Sequence, residues 1–181
     1  MGLQIDQSGK IEDTAKDTVI AYSNGNQYSI VIPRKVKRQV QEFFRQVGLP
    51  QLFIYRLFSI GVYFVIRDLK IITKIEIDTE FQGKDLIIKE MILDLLFEKN
   101  RPGHDLSFTR IGNKPKVHYV ANDVLNKKRK ADKVLTYEEI SKILKSRWAF
   151  KRMSFNPGRR SAPALVRTTI ISLITFPISA C

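Results

Sequence analysis

The stretch TVIAYSNGNQYSIVI, Thr18–Ile32, places Asn24-Gly25-Asn26 between two runs rich in β-branched and aromatic residues. Asn-Gly is the dipeptide best suited to the left-handed backbone of a tight hairpin turn. The spacing predicts strands over Thr18–Ser23 and Gln27–Ile32. Leu3–Asp6 gives a short strand ahead of them, with a turn region over 7–17. Three strands in this order make an antiparallel meander.

Helical spacing begins after Pro33, a residue tolerated at a helix start. Val36, Val40, Phe43, Phe44 and Val47 recur three and four apart, so Arg34–Val47 reads as an amphipathic helix with a basic outer face. Leu52–Arg67 is apolar nearly all round and reads as a buried helix, a strand pair being the alternative. Ile71–Phe81 reads as a central strand and Lys84–Lys99 as a helix. Leu106–Ile111 reads as a strand and Val117–Asn126 as a helix, followed by a charged loop over Lys127–Lys133. The last helix spans Thr136–Lys145, where Thr136 and Glu139 form a capping box. A meander followed by alternating strands and helices predicts an α/β fold, a mixed five-stranded sheet flanked by helices.

Several catalytic classes have no support. The chain has no glycine-rich phosphate loop and no G-x-S-x-G elbow, and His104 and His118 are not spaced as a metal pair. The placement of acids says more. Asp6 ends the first strand, in IDQSG. Glu76, Asp78 and Glu80 alternate in IEIDTEF, which puts all three on one face of a strand. Asp123 follows on a late helix, about one turn beyond Tyr119. Carboxylates on two strand tips and a nearby helix offer the oxygen ligands that hard cations take, so one or two Mg²⁺ (or Mn²⁺) ions fit. Two such ions about 4 Å apart activate water and stabilise a leaving oxygen in phosphodiester cleavage. Each acid also has a plainer reading: Asp6 as a turn residue, the alternating trio as a solvated strand face, and Asp123 as a solvated helix residue. His118, one turn before Asp123, is either a half-exposed residue at a helix start or a group that orients water or phosphate.

The element order, with IDQSG, IEIDTEF and KPKVHYVANDV, resembles the ribonuclease H-like superfamily of ribonucleases H, Holliday-junction resolvases and transposases. The resemblance covers roughly residues 3–145 and extends to uncharacterised prokaryotic proteins of this type. It implies a ribonuclease H-like sheet and a metal-dependent nuclease or resolvase-like phosphodiesterase. Asp6 and Asp78 would be core ligands, Glu80 or Glu76 would assist, and Asp123 or His118 would complete the site. The sequence departs from the family pattern at the first helix, which offers only Glu42 and offers it late. A non-catalytic nucleic-acid-binding protein of the same fold is the runner-up. A third class is an interaction module that dimerises through Leu52–Ile66.

The charge balance, 31 basic against 18 acidic residues and a net +13, favours a polyanionic partner such as nucleic acid. Candidate phosphate contacts are Arg34, Lys35, Lys37 and Arg38 at the first helix, Lys114 and Lys116 at a turn, and Lys127, Lys128, Arg129 and Lys130 in the late loop. Aromatic residues are scarce in these clusters, so backbone contact is expected rather than base reading. Of the +13, +7 lies after Leu144, where no acid occurs. Residues 146–181 therefore read as a separate basic and apolar tail. It is a disordered or clamping arm, a membrane-surface segment or an unselected extension, and no function is built on it. No apolar run reaches the ~20 residues of a membrane span. The single cysteine, Cys181, and the lack of a signal-like N-terminus suit a cytoplasmic protein.

Overall fold

The computed structural model describes residues 2–69, 74–112 and 116–146. Three strands open the chain: β1 (Leu3–Ser8), β2 (Thr18–Ser23) and β3 (Gln27–Ile32). Two helices follow, α1 (Arg34–Gln46) and α2 (Leu52–Ile66), then β4 (Lys74–Asp78) and α3 (Asp85–Glu98). The rest is β5 (Asp105–Thr109), α4 (Lys116–Leu125), β6 (Lys133–Val134) and α5 (Tyr137–Leu144). The sheet is mixed, in the order β5-β4-β1-β2-β3-β6. β2 runs antiparallel to β1 and β3, whereas β4 lies parallel to β1, β5 to β4 and β6 to β3.

The sheet has six strands, not five. Lys133, the last residue of the expected charged loop, and Val134 just beyond it pair with Ile30 and Val31. Asp132 anchors this join by accepting from the backbone N–H and hydroxyl of Ser29, both at 2.8 Å. The hairpin matches its expected bounds, and Gly25 has the positive φ of 102° that its turn requires. The capping box is also present: Thr136 Oγ1 accepts from Glu139 N–H, and Glu139 accepts from Thr136 N–H. Part of the expected Ile71–Phe81 strand, Lys114, and the tail from Arg147 onward lie outside the described residues.

Strand alternation sorts side chains onto two faces. Leu3, Ile5, Ile20, Ile30, Ile32, Ile75 and Ile77 point to one side and join a single apolar core with α1, α2, α3 and α5. α2 is interior: Leu57, Ile60 and Val62 have no exposed surface. The apolar run Leu52–Ile66 is therefore not an exposed face on which a second copy can dock. Gly61 lets this helix sit on the sheet, because a Cβ there would collide with Ile20 and crowd Ile32. No helix among the described residues is long and apolar enough to cross a membrane.

Lys37 departs from its expected role as a phosphate contact. Its side chain is fully buried, and its Nζ donates to Lys10 O, Asp13 O and Thr18 Oγ1 at 2.9, 2.7 and 2.8 Å. Position 37 lies three before Val40 and seven before Phe44, on the apolar stripe of α1. Its ammonium pins the connector between β1 and β2. Burial pushes its pKa down to about 8, against the pull of Asp13, Asp17 and Glu12.

The other side of the sheet is covered by α4. Val19 and Ala21 meet Val117, Val120, Ala121 and Val124 in a small second core. On that same side Asp6 lies opposite Ala21 on β2, and Gln4 lies opposite Glu76 on β4.

Candidate metal centre

β1 and β4 run parallel with Ile5 beside Ile77, so the next residues, Asp6 and Asp78, lie side by side on the α4 face. β4 ends at Asp78. Glu80 follows in irregular chain and reaches the two aspartates over the strand tip, not by continued alternation. Carboxylate oxygens of Asp6, Asp78 and Glu80 all fall within 4.8 Å of one another. Among the described residues this is the one group of three or more acidic, histidine or cysteine side chains so arranged. The carboxyl ends of parallel strands are a usual place for ligand sites in α/β sheets.

Each acid is held from its own surroundings. Asp6 is only 5% exposed, and its Oδ1 accepts from the Gln7 backbone N–H at 2.7 Å. Its Oδ2 lies 3.0 Å from Nδ1 of His118, which α4 brings in from the far end of the chain. Asp78 Oδ1 accepts from the Ile111 N–H at 3.0 Å, which ties the end of β4 to the loop after β5. Glu80 accepts from the Gln7 side-chain amide at 3.4 Å. The other end of that amide, Gln7 Oε1, is buried with no hydrogen-bond partner, on a residue more than nine-tenths buried.

Three carboxylates this close disfavour one another's charge. Burial raises the Asp6 pKa, and Asp78 adds to the rise, against the Gln7 N–H and His118. Glu80 is pushed up to about 7, first by burial and then by Asp6, Asp78 and Glu12, with Lys10 opposing. A divalent cation would relieve this repulsion. The three carboxylates offer the oxygen donors that Mg²⁺ and Mn²⁺ take.

The remaining expected site residues divide. His118 is in the site, beside Asp6. Asp123 is not in the carboxylate group; five residues beyond His118, it lies about 140° further round α4. Glu76 shares the face of Asp78 but is engaged elsewhere, with Gln4 Nε2 at 3.5 Å and Lys74 at 3.7 Å. Gln7 and Lys10 were not foreseen as site residues. The sequence signal for Gln7 was its place next to Asp6 at a strand end.

The basic clusters are not gathered round the acids. Arg34, Lys35 and Arg38 are exposed on α1, which packs on the opposite side of the sheet. Lys127, Lys128 and Lys130 are exposed beyond the C-terminus of α4, whose last residue, Leu125, lies roughly 10 Å of helix rise from His118. Arg129 is partly committed to Gln27 and lies 4.0 Å from Asp132. Lys116 is exposed at the start of α4, two residues before His118.

No family model, curated protein or solved structure matches the chain.

Proposed function

We propose that this protein is a metal-dependent phosphodiesterase acting on nucleic acid, with Asp6, Asp78 and Glu80 holding Mg²⁺ or Mn²⁺. The observation that carries the reading is the convergence of three carboxylates from two neighbouring strands, two of them with raised pKa values, beside a buried amide oxygen without a partner. Repulsion of this kind costs stability and is found where a site is built for a cation. The meander joined to parallel strands, with a late helix delivering His118, is also the order behind the ribonuclease H-like resemblance.

Mg²⁺ in this position supplies charge stabilisation for a phosphodiester and acidifies water. The chain's own part is positioning. The Gln7 and Ile111 N–H groups fix the two aspartates, and the Gln7 amide holds Glu80 against the strand tip. His118 braces Asp6 through Nδ1 and keeps 43% of its side chain exposed, open to a substrate oxygen. A bound water would be the nucleophile, and no covalent intermediate is expected.

The runner-up is a nucleic-acid-binding protein that does not cut. Its favouring observation is the distance of the Arg34–Arg38 and Lys127–Lys130 clusters from the acids. Calorimetry with Mg²⁺ separates the two. Heat of binding in the native chain, lost in Asp6→Asn and in Asp78→Asn while circular dichroism is unchanged, supports the metal site. A native chain with no heat of binding for Mg²⁺ or Mn²⁺, and no cleavage of labelled oligonucleotides in either metal, refutes it.

A further inference from the structure

Four large apolar side chains stand well exposed among the described residues: Leu86, Phe97, Tyr119 and Val134. Only Tyr119 lies on α4, directly after the histidine that braces Asp6. The residue is 50% exposed, and its ring meets the His118 ring edge-on, with centroids 6.1 Å apart and planes at 72°. His118 Nδ1 in turn lies 3.0 Å from Asp6 Oδ2. Tyr119 is thus joined to Asp6 through the His118 ring, on the outer side of α4. Lys116, exposed one turn earlier on the same helix, supplies a cation three residues from Tyr119. Asp123, one turn later, repels a phosphate on the other side. An anionic chain crossing here is therefore directed toward Lys116 and away from Asp123.

We propose that Tyr119 is a stacking platform for an unpaired nucleobase, so that the site takes a single-stranded segment of nucleic acid rather than the backbone of an intact duplex. This rests on the nucleic-acid reading of the site. Only the His118 ring separates Tyr119 from Asp6, so a nucleotide next to a phosphodiester held at the Asp6–Asp78–Glu80 group would need to span no more than those two contacts to meet Tyr119. In a duplex those bases are stacked on each other and closed to the ring. In a single strand each presents a free π-face, which an aromatic side chain accepts without sequence preference. The tyrosine hydroxyl is not needed for this, but the ring is.

The test is fluorescence anisotropy of a labelled single-stranded oligonucleotide and of its duplex, with Ca²⁺ in place of Mg²⁺ and salt held constant. The native chain, Tyr119→Phe and Tyr119→Ala are compared, and an oligonucleotide with abasic positions is run alongside. Tyr119→Ala is expected to weaken single-strand binding about tenfold, while Tyr119→Phe stays within about twofold of native. The abasic strand should bind the native chain as weakly as the intact strand binds Tyr119→Ala. Mg²⁺ calorimetry of Tyr119→Ala should match the native chain. Equal single-strand affinity in Tyr119→Ala and native, no rescue by Phe, or tighter binding of duplex than of single strand by the native chain overturns the proposal. Loss of Mg²⁺ binding in Asp6→Asn is read separately, so the metal centre and the platform stand or fall independently.

Discussion

The two faces of the sheet are built from the same strands, with residues one apart. On the side of α1, α2 and α3, β1 offers Leu3 and Ile5, and β4 offers Ile75 and Ile77, all essentially without solvent contact. On the α4 side the same strands offer Gln4 and Asp6, Glu76 and Asp78. The first face buries branched aliphatic residues under helices. The second has a small patch of Val19 and Ala21 under one helix, and beside it a group of acids that repel one another. The parity of a residue thus decides whether it contributes to folding or, on our reading, to chemistry. Substitutions on the two faces should differ in sign as well as in size.

The largest effect belongs to the packed face. Phe58 is buried on α2 and meets the edge of Phe81 at a centroid distance of 5.4 Å. Phe58→Ala should cost about 3–5 kcal/mol, from lost transfer energy and the cavity left behind. Urea unfolding should show it as a lower midpoint, with Mg²⁺ affinity unchanged below the transition. A loss under 1 kcal/mol would mean that this face is loosely packed and that the contrast is false.

Lys37 comes next, because it links the core helix to the connector leading out of β1. Lys37→Met keeps the stem but leaves Lys10 O and Asp13 O without their ammonium donor. A cost of roughly 2 kcal/mol is expected, with faster hydrogen exchange in residues 9–17. Unchanged exchange there would show that the connector is held by other contacts.

The opposite face should behave in reverse. Glu80 has its folded pKa raised to about 7 from 4.5 in the unfolded chain. The folded state therefore binds its proton more tightly, and the stability this adds is full below pH 4.5 and lost as pH rises through 7. Without metal, the urea midpoint should fall between pH 4.5 and 7. Glu80→Gln should reduce the slope without abolishing it, since Asp6 shifts in the same direction. Saturating Mg²⁺ at pH 7 should restore the midpoint in the native chain more than in Glu80→Gln. A flat profile in the native chain would mean that the acids are better solvated than their burial implies.

Much of the packed face was legible, because it follows local rules. The hairpin at Asn24-Gly25, the capping box at Thr136 and the all-apolar α2 are written in contiguous residues. The site was legible in part: Asp6, Asp78, Glu80 and His118 meet, as their places at strand tips and a helix start suggested. Glu76 and Asp123 had the same chemistry but the wrong position. Choosing between Glu76 and Glu80 required the residue at which β4 ends, and placing Asp123 required the angle of α4. β6 carries only two paired residues and has no period to detect. Lys37 departs from the expectation because its place on the apolar stripe of α1 outweighs its charge.

The smallest effect tests the cap of α5, which packs on the apolar side of the sheet, away from the acids. Thr136 caps α5 by accepting from Glu139 N–H at 3.3 Å, and Glu139 returns the bond to Thr136 N–H at 3.0 Å. Lys133 Nζ lies 2.7 Å from Glu139, so β6 is tied to the same cap. Thr136→Ala removes the side-chain acceptor but leaves the Glu139 contacts to Lys133 and to the backbone. The expected cost is about 1 kcal/mol, with no change in Mg²⁺ binding. A much larger loss would mean that the cap also holds β6 on the edge of the sheet through Lys133. The double variant Thr136→Ala, Lys133→Met would then cost less than the two single changes added together, because both would release the same strand.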